Sequence, residues 1–326
     1  MSDGRFIGID VGGTKIATAV LEHGAFETYE PVPTRTGSTD DLVRQLTEQV
    51  ERCRGETARA IAIGLPSIID VAGGRVRHTV NLPLHDVPLR SLMSERCGLP
   101  VYVENDASCA ALAEAQVAGQ IVSENLVMFT IGTGVGGGLV LGGKLYRGAT
   151  SAVELGHTVI GLDLADGAPT DPGAFPQSGS LESLASGRAL DRLTLESARA
   201  NPNSFLGRRL ADGDEITGHV AVEGANGGDV LCRNVLRVLG ERLGIGIANA
   251  INTFDPDEVV IGGGVSVAGD LLLVPATRAA LNHTVPGIGT QTKIRLARHG
   301  PQAGVLGAAT VAAQEWALER AKEPVQ

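Results

Sequence analysis

The sequence predicts an α/β protein of two lobes built on related plans. The 326-residue chain is long for a single hydrophobic core. A strand, a polar glycine turn and a second strand occur in that order twice, roughly 120 residues apart, a period that suits duplicated domains rather than a solenoid. Around these units, strand-like apolar runs alternate with helical patterns, which is the pattern of mixed sheets covered by helices.

The first unit reads Phe6-Ile-Gly-Ile-Asp10-Val-Gly12-Gly13-Thr14-Lys15 and continues into the apolar run Ile16 to Leu21. It predicts a β-hairpin with a glycine tip. The second runs from Leu126 to Ile131, through Gly132-Thr133-Gly134-Val135-Gly136-Gly137-Gly138, and on into Leu139-Val-Leu141. Between them the spacing predicts helices over 40–52, 89–97 and 107–118 and strands over 60–64 and 101–104. In the second half Leu231, Val235, Leu239, Leu243, Ile247 and Ile251 recur every four residues, so 229–251 is predicted as a long helix with a buried face. Residues 258–261 read as a strand entering Gly262-Gly263-Gly264, and 293–297 as another. Residues 161–180 hold four glycines, three prolines and three aspartates without periodicity and read as a surface loop. The helical pattern at 303–321 is expected to cross back onto the first lobe. The expected division is 1–119 together with a helix at about 303–322 as one lobe, and 120–302, carrying the 161–180 loop, as the other.

Composition removes several functions. A net charge of −10 leaves no excess of Lys and Arg to neutralise a nucleic-acid backbone. Cys53, Cys97, Cys109 and Cys232 are scattered and form no CxxC pair, so reduced thiols are expected rather than a disulfide framework or a zinc cluster. The apolar run at 6–9 meets Asp10 at once and no 18-residue apolar stretch occurs, which predicts neither a secretory signal nor a membrane span and places the protein in the cytoplasm.

Glycine tips bring backbone N–H groups close to phosphate oxygens because no Cβ intervenes, and Thr14 and Thr133 add hydroxyl donors. No GxxxxGK[ST] string is present, and Gly134 to Gly138 is followed by strand-like residues instead of the helix that a dinucleotide fingerprint requires. Asp10, at a strand end beside glycines, can hold Mg²⁺ through water; capping of a turn would also explain it. Glu104-Asn105-Asp106 ends one strand and starts a helix. Helix capping alone would account for Asp106, whereas in the functional reading it accepts a proton from a substrate hydroxyl while Asn105 hydrogen-bonds a neighbouring one. The helix dipole would keep Asp106 ionised.

These residues resemble the ROK group of bacterial sugar kinases, within the hexokinase and actin superfamily. The resemblance rests on Asp10-Val-Gly-Gly-Thr-Lys15, Glu104-Asn-Asp-Ala107, Gly132-Thr-Gly-Val-Gly-Gly-Gly138, Glu154-Leu-Gly-His157, Leu181-Glu182 and Ile261-Gly-Gly-Gly264, all in the family's order. It implies a two-lobed actin-like ATPase fold of duplicated ribonuclease H-like domains with a cleft between the lobes. It also implies ATP and Mg²⁺ as cofactors, and phosphoryl transfer to an aldohexose, glucose foremost. Fructose, mannose, N-acetylmannosamine and N-acetylglucosamine are the alternatives, as is a catalytically weak sugar-binding relative. By the same resemblance Asp10, Gly12, Gly13, Thr14, Lys15, Gly132, Thr133, Gly134 and Gly136 flank the phosphates, and Gly262, Gly263 and Gly264 lie against adenosine. Asp106 is the general base, and Asn81, Asn105, Asp106, Glu154, His157 and Glu182 hold the sugar. Relatives often form dimers or tetramers, so a homodimer or homotetramer is implied. Regulators in the family carry a helix-turn-helix ahead of the first strand; only Met1 to Arg5 stand there, and no DNA partner is expected. One departure is plain. Most relatives have a CxCGxxGC zinc cluster completed by the histidine equivalent to His157, but its cysteine positions fall here near Gly173, Phe175 and Ser180, so no zinc is expected.

Overall fold

The computed structural model describes residues 4–79, 81–117, 120–149, 153–165 and 175–322. Its strands are β1 (Arg5–Val11), β2 (Lys15–Glu22), β3 (Ala25–Pro33), β4 (Ala58–Leu65), β5 (Ser67–Asp70), β6 (Arg75–Thr79), β7 (Val101–Asn105), β8 (Gln116–Val117), β9 (Gln120–Ile121), β10 (Leu126–Ile131), β11 (Val135–Leu141), β12 (Lys144–Leu145), β13 (Glu258–Gly262) and β14 (Lys293–Leu296). The helices are α1 (Thr39–Cys53), α2 (Leu89–Cys97), α3 (Asp106–Glu114), α4 (Leu181–Ala185), α5 (Gly187–Ala200), α6 (Phe205–Ala211), α7 (Gly218–Asn226), α8 (Val230–Phe254), α9 (Asp270–His283) and α10 (Ala303–Arg320).

Two five-stranded sheets carry the duplication. The first has the order β3-β2-β1-β4-β7 and the second β12-β11-β10-β13-β14. In each, the strands flanking a glycine turn lie side by side and two later strands are added on the far side. In the first sheet β1 pairs antiparallel with β2 and parallel with β4, and β4 pairs parallel with β7. Register sets Asp10 opposite Gly64, and Gly64 opposite Glu104, so β1, β4 and β7 end together at their carboxyl ends. That edge of a parallel sheet is where α/β proteins build their sites.

The chain divides into two compact units: Met1–Leu126 with Gly138–Val153 and Arg298–Gln326, and Val127–Gly137 with Glu154–Ala297. The stretch 138–153 thus belongs to the first unit, whereas sequence reading assigned all of 120–302 to the second lobe. The physical reason is a close approach. A Cβ on Gly138 would come 2.5 Å from the Ala111 Cβ and 2.6 Å from the Ala107 carbonyl, so this part of β11 lies flush on α3.

In the first unit, β1, β4 and β7 send Ile7, Ile9, Ile61, Ile63, Val101 and Val103 into a core closed by Leu42, Leu46 and Val50 of α1. Helix α1 starts where Ser38 accepts the Asp41 N–H as N-cap. On another side α10 packs on β1, β4 and α3. Here Gly8 admits the backbone of Ala309, and Gly307 admits the carbonyl of Cys109. In the second unit α8 and α9 pack through Gly240 and Gly244, whose missing Cβ atoms leave room for the Leu272 and Ala276 carbonyls.

The helix expected over 107–118 ends at Glu114. The Ala115 carbonyl accepts the N–H groups of Val122 and Ser123, and Gln116 pairs with Ile121, so the chain reverses into a small hairpin. β3 escaped notice because it is a polar edge strand with no fully buried residue. Because backbone rather than a flexible side chain fills the space at Gly307, Gly307→Ala should destabilise the protein by about 1–3 kcal/mol, read as a lower urea midpoint at unchanged slope.

Candidate active site

The first unit gathers two carboxylates at the ends of β1 and β7. Asn105 is the N-cap of α3: its side-chain oxygen accepts the Ala107 N–H at 2.9 Å and the Ser108 N–H at 3.2 Å. The sequence reading put Asp106 near the cap; Asn105 holds that position and Asp106 is the first helical residue. Asn105 Oδ1 is therefore committed to the backbone, and only the amide nitrogen can face a ligand. Helix α3 can start this close to β4 because Gly64 has no side chain; a Cβ there would be 3.1 Å from Cys109 Sγ and 3.8 Å from the Asp106 Cα.

Asp10 is half-buried. Burial and, after it, the charge of Asp106 push its carboxyl up to about 7, with Lys15 pulling the other way. Gly304, at the start of α10, closes the other side: a Cβ there would be 2.7 Å from Asp10 Oδ2. The hairpin tip beside Asp10 is closed by the Gly12 N–H donating to the Lys15 carbonyl at 2.9 Å. Thr34 braces it, its hydroxyl donating to the Gly12 carbonyl at 2.7 Å and its N–H to the Thr14 carbonyl at 3.1 Å. Thr14 and Lys15 are exposed at the tip, and Asn81 lies against Gly13, whose Cβ would be 2.9 Å from that of Asn81. Sequence motifs pointed to neither Thr34 nor Gly304, because both act from distant parts of the chain.

The glycine turn of the second unit is built differently. Gly132 donates its N–H to the Gly134 carbonyl at 2.9 Å and accepts the Gly187 N–H at 2.8 Å. Glu182, in the first turn of α4, accepts the Val135 N–H through Oε2 at 2.8 Å. A Cβ on Gly134 would overlap that carboxylate. Glu182 was expected at the sugar; one of its oxygens instead fixes the glycine turn, leaving Oε1 as the acceptor it could offer. Gly156 stands against the Val135 carbonyl with no room for a Cβ, which explains the glycine between Glu154 and His157.

His157 Nε2 lies 3.9 Å from Glu154 Oε2, and its buried Nδ1 has no hydrogen-bond partner. The Phe175 ring meets the imidazole edge-on, with centroids 5.5 Å apart. Of the three positions at which the resemblance implies cysteines, Phe175 and Ser180 hold no thiol and Gly173 lies outside the described residues. All four cysteines are buried and unpaired, and among the described residues no group of three or more His, Cys, Asp or Glu side chains is arranged to hold a metal.

A cavity of about 430 Å³ opens beside Gly132 and Thr133, bounded by Arg188, Thr217, His219 and Val265. Of the three glycines expected at the adenosine, only Gly264 lines it. Gly262 is buried, with the Met128 Sδ-methyl 2.7 Å from its missing Cβ, and Gly263 has φ +84° and lies on the Ile131 backbone. Arg188 and His219 gave no sequence signal, since cavity walls on α5 and α7 follow no motif.

Gly134→Ala should push Glu182 off the Val135 N–H and cost about 1–3 kcal/mol, the penalty for a buried group left unsatisfied. In a Glu182→Ala background the same substitution should cost clearly less, and a double-mutant cycle by urea unfolding checks this.

The ROK family model matches residues 6–315. The chain is 35% identical to a glucokinase of Streptomyces coelicolor, covering 95% of this chain and 98% of that protein. It is 32% identical to a glucokinase of Halalkalibacterium halodurans over 99% of both. A ROK family glucokinase from Streptomyces griseus, solved with glucose and AMPPNP, superposes with a TM-score of 0.76 at 32% identity, over 95% of this chain and all of that one. With the family model and these relatives spanning nearly its whole length, and with the actin-like fold of solved ROK sugar kinases, this chain belongs to the ROK family.

Proposed function

We propose that this chain is a cytoplasmic, ATP-dependent hexose kinase that converts glucose to glucose 6-phosphate. The observation that carries the reading is the pairing of Asp10 and Asp106 at the carboxyl ends of β1 and β7, where Asp10 lies within reach of the charge of Asp106. Likeness to glucokinases, one of them solved with glucose and an ATP analogue, supports the choice of substrate and donor.

The roles follow from chemistry. Asp106 accepts the proton of the attacking sugar hydroxyl and orients it, which suffices for a loose phosphoryl-transfer transition state. Asp10 fits a divalent cation, because a carboxylate pushed up to about 7 by burial and by a like charge gains from a positive neighbour. Mg²⁺ held there through water would neutralise charge on the phosphates. Gly12 and Gly132 use their N–H groups to close their turns, so Gly13, Thr14, Thr133 and Gly134 are the phosphate donors, with Lys15 as a nearby positive charge. Gly136 shapes the start of β11. Asn81, Asn105, Glu154, His157 and the free oxygen of Glu182 supply the amide, carboxylate and imidazole groups that satisfy vicinal hydroxyls. The 430 Å³ cavity has the size of a ligand pocket and takes the nucleoside. With thiols absent at Phe175 and Ser180, His157 holds no zinc.

The test is ADP release with MgATP across glucose, fructose, mannose, N-acetylmannosamine and N-acetylglucosamine. Glucose should be turned over with the highest kcat/KM, and Asp106→Asn should lower kcat by about 10²-fold or more, the scale of a lost general base. Absence of turnover by wild type on every sugar would overturn the kinase reading. Gly304→Ala, which displaces Asp10, should reduce kcat by about tenfold or more, since misplacement of order 1 Å can cost about 10²-fold.

A further inference from the structure

Strand β7 alternates its side chains between two faces. Val101 and Val103 enter the core shared with α1, while Tyr102 and Glu104 occupy the other face. Helix α10 presents two carboxylates one turn apart to that face. Glu319 accepts the Tyr102 hydroxyl at 2.7 Å. Glu315 pairs with Arg147 at 2.8 Å, and the Nε of Arg147 donates to Glu104 Oε2 at 2.6 Å. The second oxygen of Glu104 accepts the backbone N–H of Asn105 at 2.9 Å. The Glu104 side chain is only 3% exposed, and Arg147 is the cation placed against it.

We propose that Arg147, held between Glu104 and Glu315, is a positioning residue that fixes the Glu104–Asn105 peptide, and with it the start of α3 at Asp106, through the Glu104 carboxylate. This rests on the kinase reading of Asp106. The chain of contacts is continuous: α10 holds Glu315, Glu315 holds Arg147, Arg147 holds Glu104, and Glu104 holds the N–H of the residue that caps α3. Buried ion pairs are often no more stabilising than apolar packing of the same volume. This one spreads the fork of Arg147 over two carboxylates, and one of them, Glu104, also accepts a backbone N–H next to the proton acceptor. A change in the Glu104 carboxylate angle would tilt the Asn105 peptide and carry Asp106 with it.

Arg147 also borders a cavity of about 360 Å³, lined by Arg90, Tyr102, Val311, Glu315 and Glu319, which leads from solvent to the ion pair. The cavity permits a direct test by chemical rescue. In ADP-release assays with glucose, Arg147→Ala should lose kcat by about 10²-fold, the cost of misplacing a catalytic group by about 1 Å, with KM for MgATP unchanged. Methylguanidinium added at tens of millimolar, on the order of the effective concentrations that linkage provides, should restore a measurable part of kcat, and equal NaCl should not. Wild-type kcat in the folded variant, a loss that methylguanidinium does not relieve, or a parallel rise in KM for MgATP would each overturn the proposal. If Arg147→Ala does not fold, Arg147→Lys decides: its point charge cannot fork between two carboxylates, so kcat should fall at unchanged KM for MgATP, and an unchanged kcat overturns the role. Wild type inactive on every sugar defeats the kinase reading first and takes this inference with it.

Discussion

The first unit depends on one constraint, the close confinement of α3. Three positions around this nine-residue helix lack a side chain: Gly64 on β4, Gly138 on β11 and Gly307 on α10. Each lies so near the helix that a methyl group would meet Cys109, Ala107 or Ala111. The helix answers with small residues, Ala107, Ser108, Ala110, Ala111 and Ala113, all buried. Dense packing of this kind leaves a helix little freedom to slide or rotate, because interiors resist small volume changes. The first residue of that helix is Asp106. Its location follows from backbone packing on three sides before any charge is considered.

Electrostatics then acts on a scaffold already fixed. Asp10 and Asp106 meet because β1 and β7 end level on either side of β4, and burial together with the neighbouring charge of Asp106 raises the pKa of Asp10. Folding stability would be served better by one of them. The proposed kinase reading gives both a use, and perturbed carboxylates concentrate where chemistry is done. The second unit shows a parallel economy in another form. There the glycine turn at Gly132 to Gly136 is held by a carboxylate, Glu182, and by the Gly187 N–H, so the turn is rigid without a ligand. A prearranged turn does not have to be ordered when a polyanion binds.

Much of this was legible in the sequence because glycine turns, strand ends and long amphipathic helices leave local signatures. β1, β2, β4, β7, α1, α2, α8 and α10 follow their apolar periodicities to within a few residues of the boundaries predicted. Asp10 and Asp106 were found for the same reason: each is punctuation at a strand end. What stayed hidden was set by contacts between distant segments. Nothing local distinguishes Gly304 from any helical glycine, yet it makes room for a carboxylate nearly three hundred positions earlier. Arg147 reads as one more loop arginine until the strand and helix on either side of it are placed. Gly262 and Gly263 show a second role that a glycine run does not announce: one serves packing and the other a backbone turn that only glycine adopts easily.

The two ends of the 161–180 loop are held by the backbone itself. Its two ends are joined by backbone: Ile160 and Gly161 donate to the Gly179 carbonyl, Leu181 donates to the Thr158 carbonyl, and Val159 bridges Ser180. Ser180 then caps α4, which carries Glu182 to the glycine turn. The stem of the loop is therefore part of the same hydrogen-bonded assembly as the turn. His157 is the exception. Its ring is bounded by Glu154 on one side and the edge of Phe175 on the other, and its buried Nδ1 is left without a partner. An aromatic edge can fix the plane of an imidazole but cannot satisfy its nitrogen. The orientation of His157 thus rests on the Phe175 ring and the nearby Glu154 carboxylate, with no hydrogen bond at Nδ1.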